Sequence, residues 1–355
     1  MSKESNVLFM TPIPPPFGGI ATWTNSIMKW NKDHHYETHI VDTSKGGGND
    51  RAASHQNNIV QEIRRTCRII ANLMKFLKGS NISVVHINSA GEFPGIGRDY
   101  LAALIAKGYR KKVIVQFHCD ISYYASESKL TKSFVCLLSK AIDQVWVLNA
   151  QSESFIHSLN HQYAVKKIPN FIDADIISNH RTFPSKISKV AYLGSVSYAK
   201  GFKEIMHVAQ KMPDINFYLI GPITQELQNK QALPNVIFTG SKTREEAIGL
   251  LREMDVFLFP SYKEGFSIVI LEAMAQGLPI ITTPVGANKE VIGESGGFIV
   301  EVGDWEEIVL KMEQLEERQV RQKMSDFNLD RVKQNYLSST ILKRIFDEYE
   351  QLIHD

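Results

Sequence analysis

The sequence predicts an α/β protein built from two doubly wound domains. Three observations carry this. Short apolar runs alternate with longer amphipathic ones along most of the chain. The short runs are rich in Val, Ile and Phe and lack a polar face, as parallel strands covered on both sides do. The rhythm breaks once, between about 168 and 186, and then resumes, which implies two sheets rather than one.

In the first half, Val7–Met10, Val84–Ile87, Val113–Phe117 and Val145–Leu148 read as strands. Between them Ile20–Trp30, Gln56–Leu77, Arg98–Lys107 and Thr131–Ile142 read as helices. The break falls at Ile168-Pro169-Asn170 and a polar stretch that runs through Lys186. After it, Val190–Leu193, Asn216–Ile220, Val236–Phe238, Val256–Phe259 and Pro279–Thr282 read as strands. Phe202–Met212, Arg244–Arg252, Ser267–Gln276 and Trp305–Gln314 read as helices, and the tail from Leu329 is helical without a strand signal. The expected division is 1–170, 171–330 and a terminal helix over 331–355.

Composition excludes several functions. Lys and Arg number 40 against 38 Asp and Glu, a net charge of +2, too balanced for a dedicated nucleic-acid binder. Cys67, Cys119 and Cys136 lie far apart without a Cys-x-x-Cys pair, which fits a reducing compartment. No apolar run approaches the roughly 18 residues of a membrane span, and Val7–Met10 is too short for a signal-peptide core. The expected location is cytoplasmic.

Ligands of doubly wound sheets lie outside the carboxyl ends of the strands, so the segments after each strand are the candidates. After the first, Pro14-Pro15-Pro16 stiffens a loop and Gly18-Gly19 opens a helix. Glycine lets backbone approach a ligand, and a helix N-terminus attracts anions; the same residues also serve a plain tight turn. The Gly-x-Gly-x-x-Gly pattern is absent there, which counts against a nicotinamide-dependent oxidoreductase. His118 ends a strand, with Asp120 two residues on but no third ligand for a metal. His157 and His161 read as surface residues four apart on a helix. Later, Lys200-Gly201 precedes a helix near Phe202, and a lysine there opposes the helix dipole unless an anion lies between them. A solvated lysine is the alternative.

The densest segment is Phe259–Pro279. A strand ends in a polar turn, Gly265 permits close backbone approach, and a helix starts near Ser267. The amides of Phe266, Ser267 and Ile268 would suit a diphosphate. Glu264 precedes the helix and Glu272 lies inside it among Leu271, Ala273 and Met274. Carboxylates accept from sugar hydroxyls, so the pair suits a sugar nucleotide, one Glu for the sugar and one for the ribose.

The Glu264-to-Glu272 spacing, with Gly265-Phe266, Glu272-Ala273-Met274-Ala275, Gly277 and Pro279, resembles the signature of family 4 retaining glycosyltransferases. Gly18-Gly19, His118, Pro169-Asn170, Asp173, Gly194, Lys200-Gly201, Gly221-Pro222, Gly286 and Glu290 follow in the family's order. The resemblance implies the GT-B fold, two Rossmann-like domains facing a central cleft, with the terminal helix packing back on the first. It implies that Lys200 binds the donor diphosphate with the amides of 266–268 and of Gly18-Gly19. It implies that Glu264 contacts the transferred sugar, Glu272 the ribose, and His118 the sugar near the reacting centre. It implies retention of anomeric configuration, with no metal and no cofactor besides the nucleotide-sugar substrate; a UDP-sugar is favoured and GDP-mannose is the rival.

Four positions depart from the family pattern. Ser195 stands where Arg is frequent, removing a charge that Lys263 or Arg244 would have to replace. Ser267, Ala287 and Phe171 stand where glycines are frequent. Asp173-Ala174-Asp175 reads as Asp-x-Asp, but at a linker rather than at a strand end. A basic amphipathic helix over 61–79, with Arg64, Arg65, Arg68, Lys75 and Lys78, suits either a solvated face or an anionic membrane surface. The resulting expectation is transfer of a sugar to a lipid-linked saccharide acceptor in cell-surface polysaccharide synthesis, at the inner face of the membrane. The alternative is a catalytically degenerate relative acting as a scaffold.

Overall fold

The computed structural model describes residues 6–14, 19–34, 36–44, 59–227 and 233–354. The chain forms two compact units, one extending to Asn170 and including the chain from Thr340, the other spanning Phe171–Ser339.

The first unit is a parallel sheet of β1 (Val7–Thr11), β2 (Thr38–Asp42), β3 (Val84–Ser89), β4 (Lys112–Phe117), β5 (Gln144–Val147) and β6 (Val165–Lys167). Their order is β2-β1-β3-β4-β5-β6. The connections carry α1 (Gly19–His34), α2 (Ile59–Gly79), α3 (Gly95–Gly108), α4 (Ile121–Glu127), α5 (Lys129–Ala141) and α6 (Ala150–Leu159). Strand alternation gives the sheet two different faces. One is aliphatic: Leu8, Met10, Val85, Ile87, Val113, Val115, Val145 and Val147 join Ile69, Leu73 and Leu77 of α2 in one core. The other carries Phe9, His86, Asn88, Gln116 and Trp146, all buried.

That second face is closed by the terminal helix. This last helix, α13 (Ser338–His354), ends the chain. Tyr349 of α13 stacks on Trp146 at 5.5 Å between centroids, and its hydroxyl lies 2.6 Å from His86 Nδ1. Phe346 stacks on Tyr36 at 4.0 Å. Burying a ring and hydrogen-bonding its hydroxyl satisfies both halves of a tyrosine.

The second unit is a parallel sheet of β7 (Lys189–Leu193), β8 (Asn216–Ile220), β9 (Val236–Gly240), β10 (Val256–Phe259), β11 (Ile280–Thr282) and β12 (Gly297–Ile299). Their order is β12-β11-β10-β7-β8-β9. Around it lie α7 (Phe202–Lys211), α8 (Arg244–Arg252), α9 (Ile268–Ala275), α10 (Asn288–Ile292), α11 (Trp305–Gln314) and α12 (Arg318–Asn335). Helix α9 is apolar almost all round and its Ile270, Leu271, Ala273, Met274 and Ala275 are buried, as such helices are.

The doubly wound fold class stands as expected. The strands not anticipated are β2, β6 and β12, and each is the edge of its sheet. Two are three residues long, and all are only half buried, so they lack the apolar run that marks central strands. The tail is helical from Arg318 rather than Leu329, and it breaks at Tyr336 before α13. His157 lies in the last turn of α6, whereas His161 falls beyond its end. The apolar stripe of α2 faces the core through Ile69, Ile70, Leu73 and Leu77, and Arg65 turns inward onto Glu62 and the Thr43 carbonyl. Arg64, Arg68, Lys75 and Lys78 are exposed, as are Ile59, Val60 and Ile63 at its start.

Burial pushes His86 and His118 from 6.5 down to about 3. Both are neutral when folded and gain a proton on unfolding below pH 6.5. Their contribution to stability is therefore complete above pH 6.5 and is lost as pH falls toward 3. The unfolding midpoint should drop on acidification from pH 7.5 to 5, and less steeply in His86→Asn, by thermal melts at matched ionic strength.

Candidate functional site

Strand order reverses in the second unit where β7 lies beside β10, and crevices at such switch points are where open α/β sheets bind ligands. The segments that leave these two strands carry Gly194–Lys200 and Pro260–Ser267. They are joined directly: the Tyr262 amide donates to the Ala199 carbonyl at 3.1 Å. Gly201 has φ +83°, and a Cβ there would fall 2.2 Å from the Pro260 carbonyl oxygen. Only glycine allows this approach, which fixes Lys200 over the second loop.

Lys200 is not a free surface lysine. Its ammonium donates to Glu264 Oε1 at 2.5 Å and to the Lys263 carbonyl at 3.3 Å. The pair is partly enclosed, at 29% and 12% side-chain exposure. Behind it Gly286 has φ +56°, and a Cβ there would lie 2.5 Å from the Glu264 carbonyl oxygen. The next residue, Ala287, has an ordinary φ of −85°, so a side chain costs nothing there. Its amide donates to the Gly265 carbonyl at 3.0 Å.

Helix α9 begins at Ile268, and Ser267 is its N-cap without a side-chain cap bond. The Ser267 hydroxyl instead donates to Asn288 Oδ1 at 2.8 Å, and Asn288 Nδ2 donates to Thr282 Oγ1 at 3.1 Å. The cap residue is thus tied to α10 through its side chain, the Ile270 amide donates back to the Ser267 carbonyl at 3.1 Å, and a helix N-terminus without a side-chain cap favours an anion. Phe266 turns its ring inward against Tyr336, 6.0 Å between centroids, so its backbone is what it offers at the loop.

Glu272 lies one turn further along α9. Its carboxylate accepts from Arg244 Nε at 3.0 Å, and Arg244 Nη1 lies 3.6 Å from Asp173 Oδ2. Burial raises the Glu272 carboxyl, and the Arg244 charge and hydrogen bond oppose the rise. Arg244, at the start of α8, is therefore committed to two carboxylates. Asp173 is part of this ion-pair group, while Asp175 is exposed. Among the described residues no group of three or more His, Cys, Asp or Glu is placed to hold a metal ion. Ser195 is exposed, and its carbonyl accepts from the Tyr192 hydroxyl at 2.8 Å. It adds no charge beside Lys200.

In the first unit the sheet reverses between β1 and β3, and β4 is the neighbour of β3. His118 follows β4, with its amide donating to the Ser89 carbonyl at 2.9 Å. The ring packs edge-on against Trp23, 5.3 Å between centroids, and its Nε2 lies 2.8 Å from Asn88 Oδ1. Asp120 N-caps α4 through the amides of Ser122 and Tyr123, which is a structural role. Gly19 starts α1 and is exposed; Gly18 lies outside the described residues.

The second unit thus gathers Lys200, Glu264, Gly265, Ser267, Ile268 and Glu272 around the carboxyl ends of β7 and β10. His118 and Gly19 lie at the carboxyl ends of strands in the first unit. Arg244 as partner of Glu272, and Asn88 as partner of His118, were not singled out in those roles from the sequence. The signal for Asn88 was an amide near the end of β3, on the same face as His86 and two residues after it.

Residues 173–329 match the family described as Glycosyl transferases group 1. A capsular polysaccharide biosynthesis glycosyltransferase of Staphylococcus aureus is 29% identical over 179 residues, 47% of each chain. The alignment therefore spans about half of that relative. Sucrose-phosphate synthase of Thermosynechococcus elongatus superposes with a TM-score of 0.81 at 15% identity, over 99% of this chain and 100% of that one. Anabaena HepE, solved in complex with UDP, superposes with a TM-score of 0.74 at 15% identity, over 98% and 100%. The two-unit α/β architecture is that of these GT-B proteins.

Removing Arg244 leaves a buried carboxylate without its cation. Arg244→Ala should destabilise the protein by about 2 kcal/mol in urea unfolding. That is below the 3–5 kcal/mol of a fully buried pair, because the guanidinium keeps access to water.

Proposed function

We propose that the protein is a retaining, metal-independent glycosyltransferase that moves a sugar from a nucleotide-sugar donor to a saccharide hydroxyl. The observation that carries this is the Lys200–Glu264 pair beside the uncapped start of α9, one turn from buried Glu272. A cation and backbone amides converge where a diphosphate would sit, and carboxylates flank it where sugar and ribose hydroxyls would donate. The match of residues 173–329 to group 1 glycosyl transferases supports the same reading.

In this reading the donor diphosphate takes up Lys200 and the first amides of α9. Glu264, no longer held by the ammonium alone, accepts from the transferred sugar. Glu272 holds the ribose, with Arg244 opposing the effect of burial on its carboxylate. His118 is the first unit's contact to the sugar. As the glycosidic bond breaks, charge builds on the leaving diphosphate, and preformed dipoles and a fixed ammonium stabilise that charge. The leaving oxygen takes the acceptor's proton, and the new bond forms on the face the leaving group vacates.

A UDP-sugar is the favoured donor, supported by the UDP complex of the structurally similar HepE. GDP-mannose remains its rival. The capsular polysaccharide relative supports a role in polysaccharide synthesis; in our reading the acceptor is a lipid-linked saccharide at the cytoplasmic face of the membrane. No helix among the described residues is long and apolar enough to cross a membrane. The exposed basic residues of α2 suit an anionic surface. Ser195 favours the second reading, a degenerate scaffold, because it removes one charge from the diphosphate site.

Turnover decides between them. With EDTA present, the wild type should transfer sugar from one class of nucleotide sugar, and proton NMR of the first-formed product should show the donor's anomeric configuration. Lys200→Ala and Glu264→Ala should each lower kcat on the order of 100-fold. A folded protein that turns over no donor would favour the scaffold, and an inverted product would overturn retention.

A further inference from the structure

A directed chain of hydrogen bonds runs behind His118 along the carboxyl ends of β4, β3 and β1. His118 Nε2 lies 2.8 Å from Asn88 Oδ1. Asn88 Nδ2 donates to Thr11 Oγ1 at 2.9 Å. Thr11 Oγ1 and Thr24 Oγ1 are 2.5 Å apart, and the Thr24 hydroxyl donates to the Ile20 carbonyl oxygen at 2.9 Å. Asn88, Thr11 and Thr24 are all buried.

The last member sets the direction of the whole chain. A carbonyl oxygen can only accept, so the Thr24 proton goes to Ile20. The Thr11 proton must then go to Thr24, which leaves Thr11 Oγ1 to accept from the Asn88 amide. That turns the Asn88 carbonyl toward His118, where it can only accept in its turn. The proton between them therefore belongs to His118 Nε2, and a neutral imidazole protonated there has a lone pair on Nδ1.

We propose that Asn88 and Thr11 are positioning residues that hold His118 as the Nε2–H tautomer, so that Nδ1 accepts a hydrogen bond from a hydroxyl of the bound sugar. This rests on the functional reading above for its second half. Its first half is a property of the free protein. The arrangement accounts for a polar ladder at these strand ends on a sheet whose opposite face is mainly apolar. It also selects the substrate group: the site offers the sugar an acceptor, which a hydroxyl satisfies and a carbonyl or ether oxygen does not.

The test uses the full-length protein labelled with 15N-histidine, with His118 assigned by comparison with His118→Gln. In the free wild type at pH 7.5, His118 should show a protonated-type Nε2 and an unprotonated-type Nδ1. Asn88→Ala should populate both tautomers and lower kcat about ten-fold, with a smaller change in KM. Thr11→Val, close in shape, frees the Asn88 amide to turn and should act in the same direction; it also covers the case in which Asn88→Ala does not fold. A wild-type Nδ1–H tautomer would overturn the proposal. So would retention of the wild-type tautomer in both variants. The nitrogen spectra need no donor, so a protein without transferase activity would defeat the functional reading and leave the tautomer assignment standing.

Discussion

The contact on which the donor-side reading depends is the Lys200–Glu264 ion pair. Strand order in the second sheet reverses between β7 and β10, and the two loops at the carboxyl ends of these neighbours are joined by the Tyr262–Ala199 backbone hydrogen bond. Two glycines then stand where a side chain would block this packing, Gly201 after the first loop and Gly286 in the connection from β11 to α10. Gly201 lets one turn lie against Pro260, and Gly286 lets α10 back onto Glu264 and Gly265. Without this close backbone packing the ammonium and carboxylate would be two solvated surface charges, which contribute little. With it, they are a partly enclosed pair at the mouth of an uncapped helix. An anion there would exchange one counter-charge for another rather than recruit a mobile lysine from water.

The candidate-site regions of the two units meet their polar demands differently. The second places charge in an otherwise apolar helix. Glu272 is tolerable inside α9 because Arg244 reaches it from α8 and shares itself with Asp173. The first uses neutral groups in series. His86 is buried against Tyr349, and His118 ends a chain of amide and hydroxyl groups that terminates on a carbonyl. Burial keeps both imidazoles neutral, so near neutral pH they act as hydrogen-bonding groups and carry no charge.

Much of this was legible in the sequence because central parallel strands are continuous apolar runs, and their carboxyl ends are where function collects. Val256–Phe259 followed by Glu264, Gly265 and an apolar helix bearing Glu272 is readable as chemistry without coordinates. Three of the four edge strands were not readable, β2, β6 and β12, which are half-buried, so periodicity has little to act on; the fourth, β9, was legible as Val236–Phe238. Nor was the pairing of polar side chains. Arg244 is 28 residues from Glu272 in the chain, and Asn88 is 30 from His118. Both contacts arise from strand and helix adjacency that only the sheet order supplies. The basic helix α2 was legible as either a solvated face or an anionic-surface face, and in both cases its apolar stripe faces the core, as Ile69, Ile70, Leu73 and Leu77 do.

The most direct test of the central claim is calorimetric titration of UDP, GDP and ADP into the full-length protein with EDTA present, repeated for Lys200→Ala and Glu272→Ala. The account predicts saturable binding of one nucleoside diphosphate to the wild type, weakened in both variants while their circular dichroism is unchanged. Binding that is equal in all three proteins, or absent from the folded wild type for every nucleotide, would contradict it.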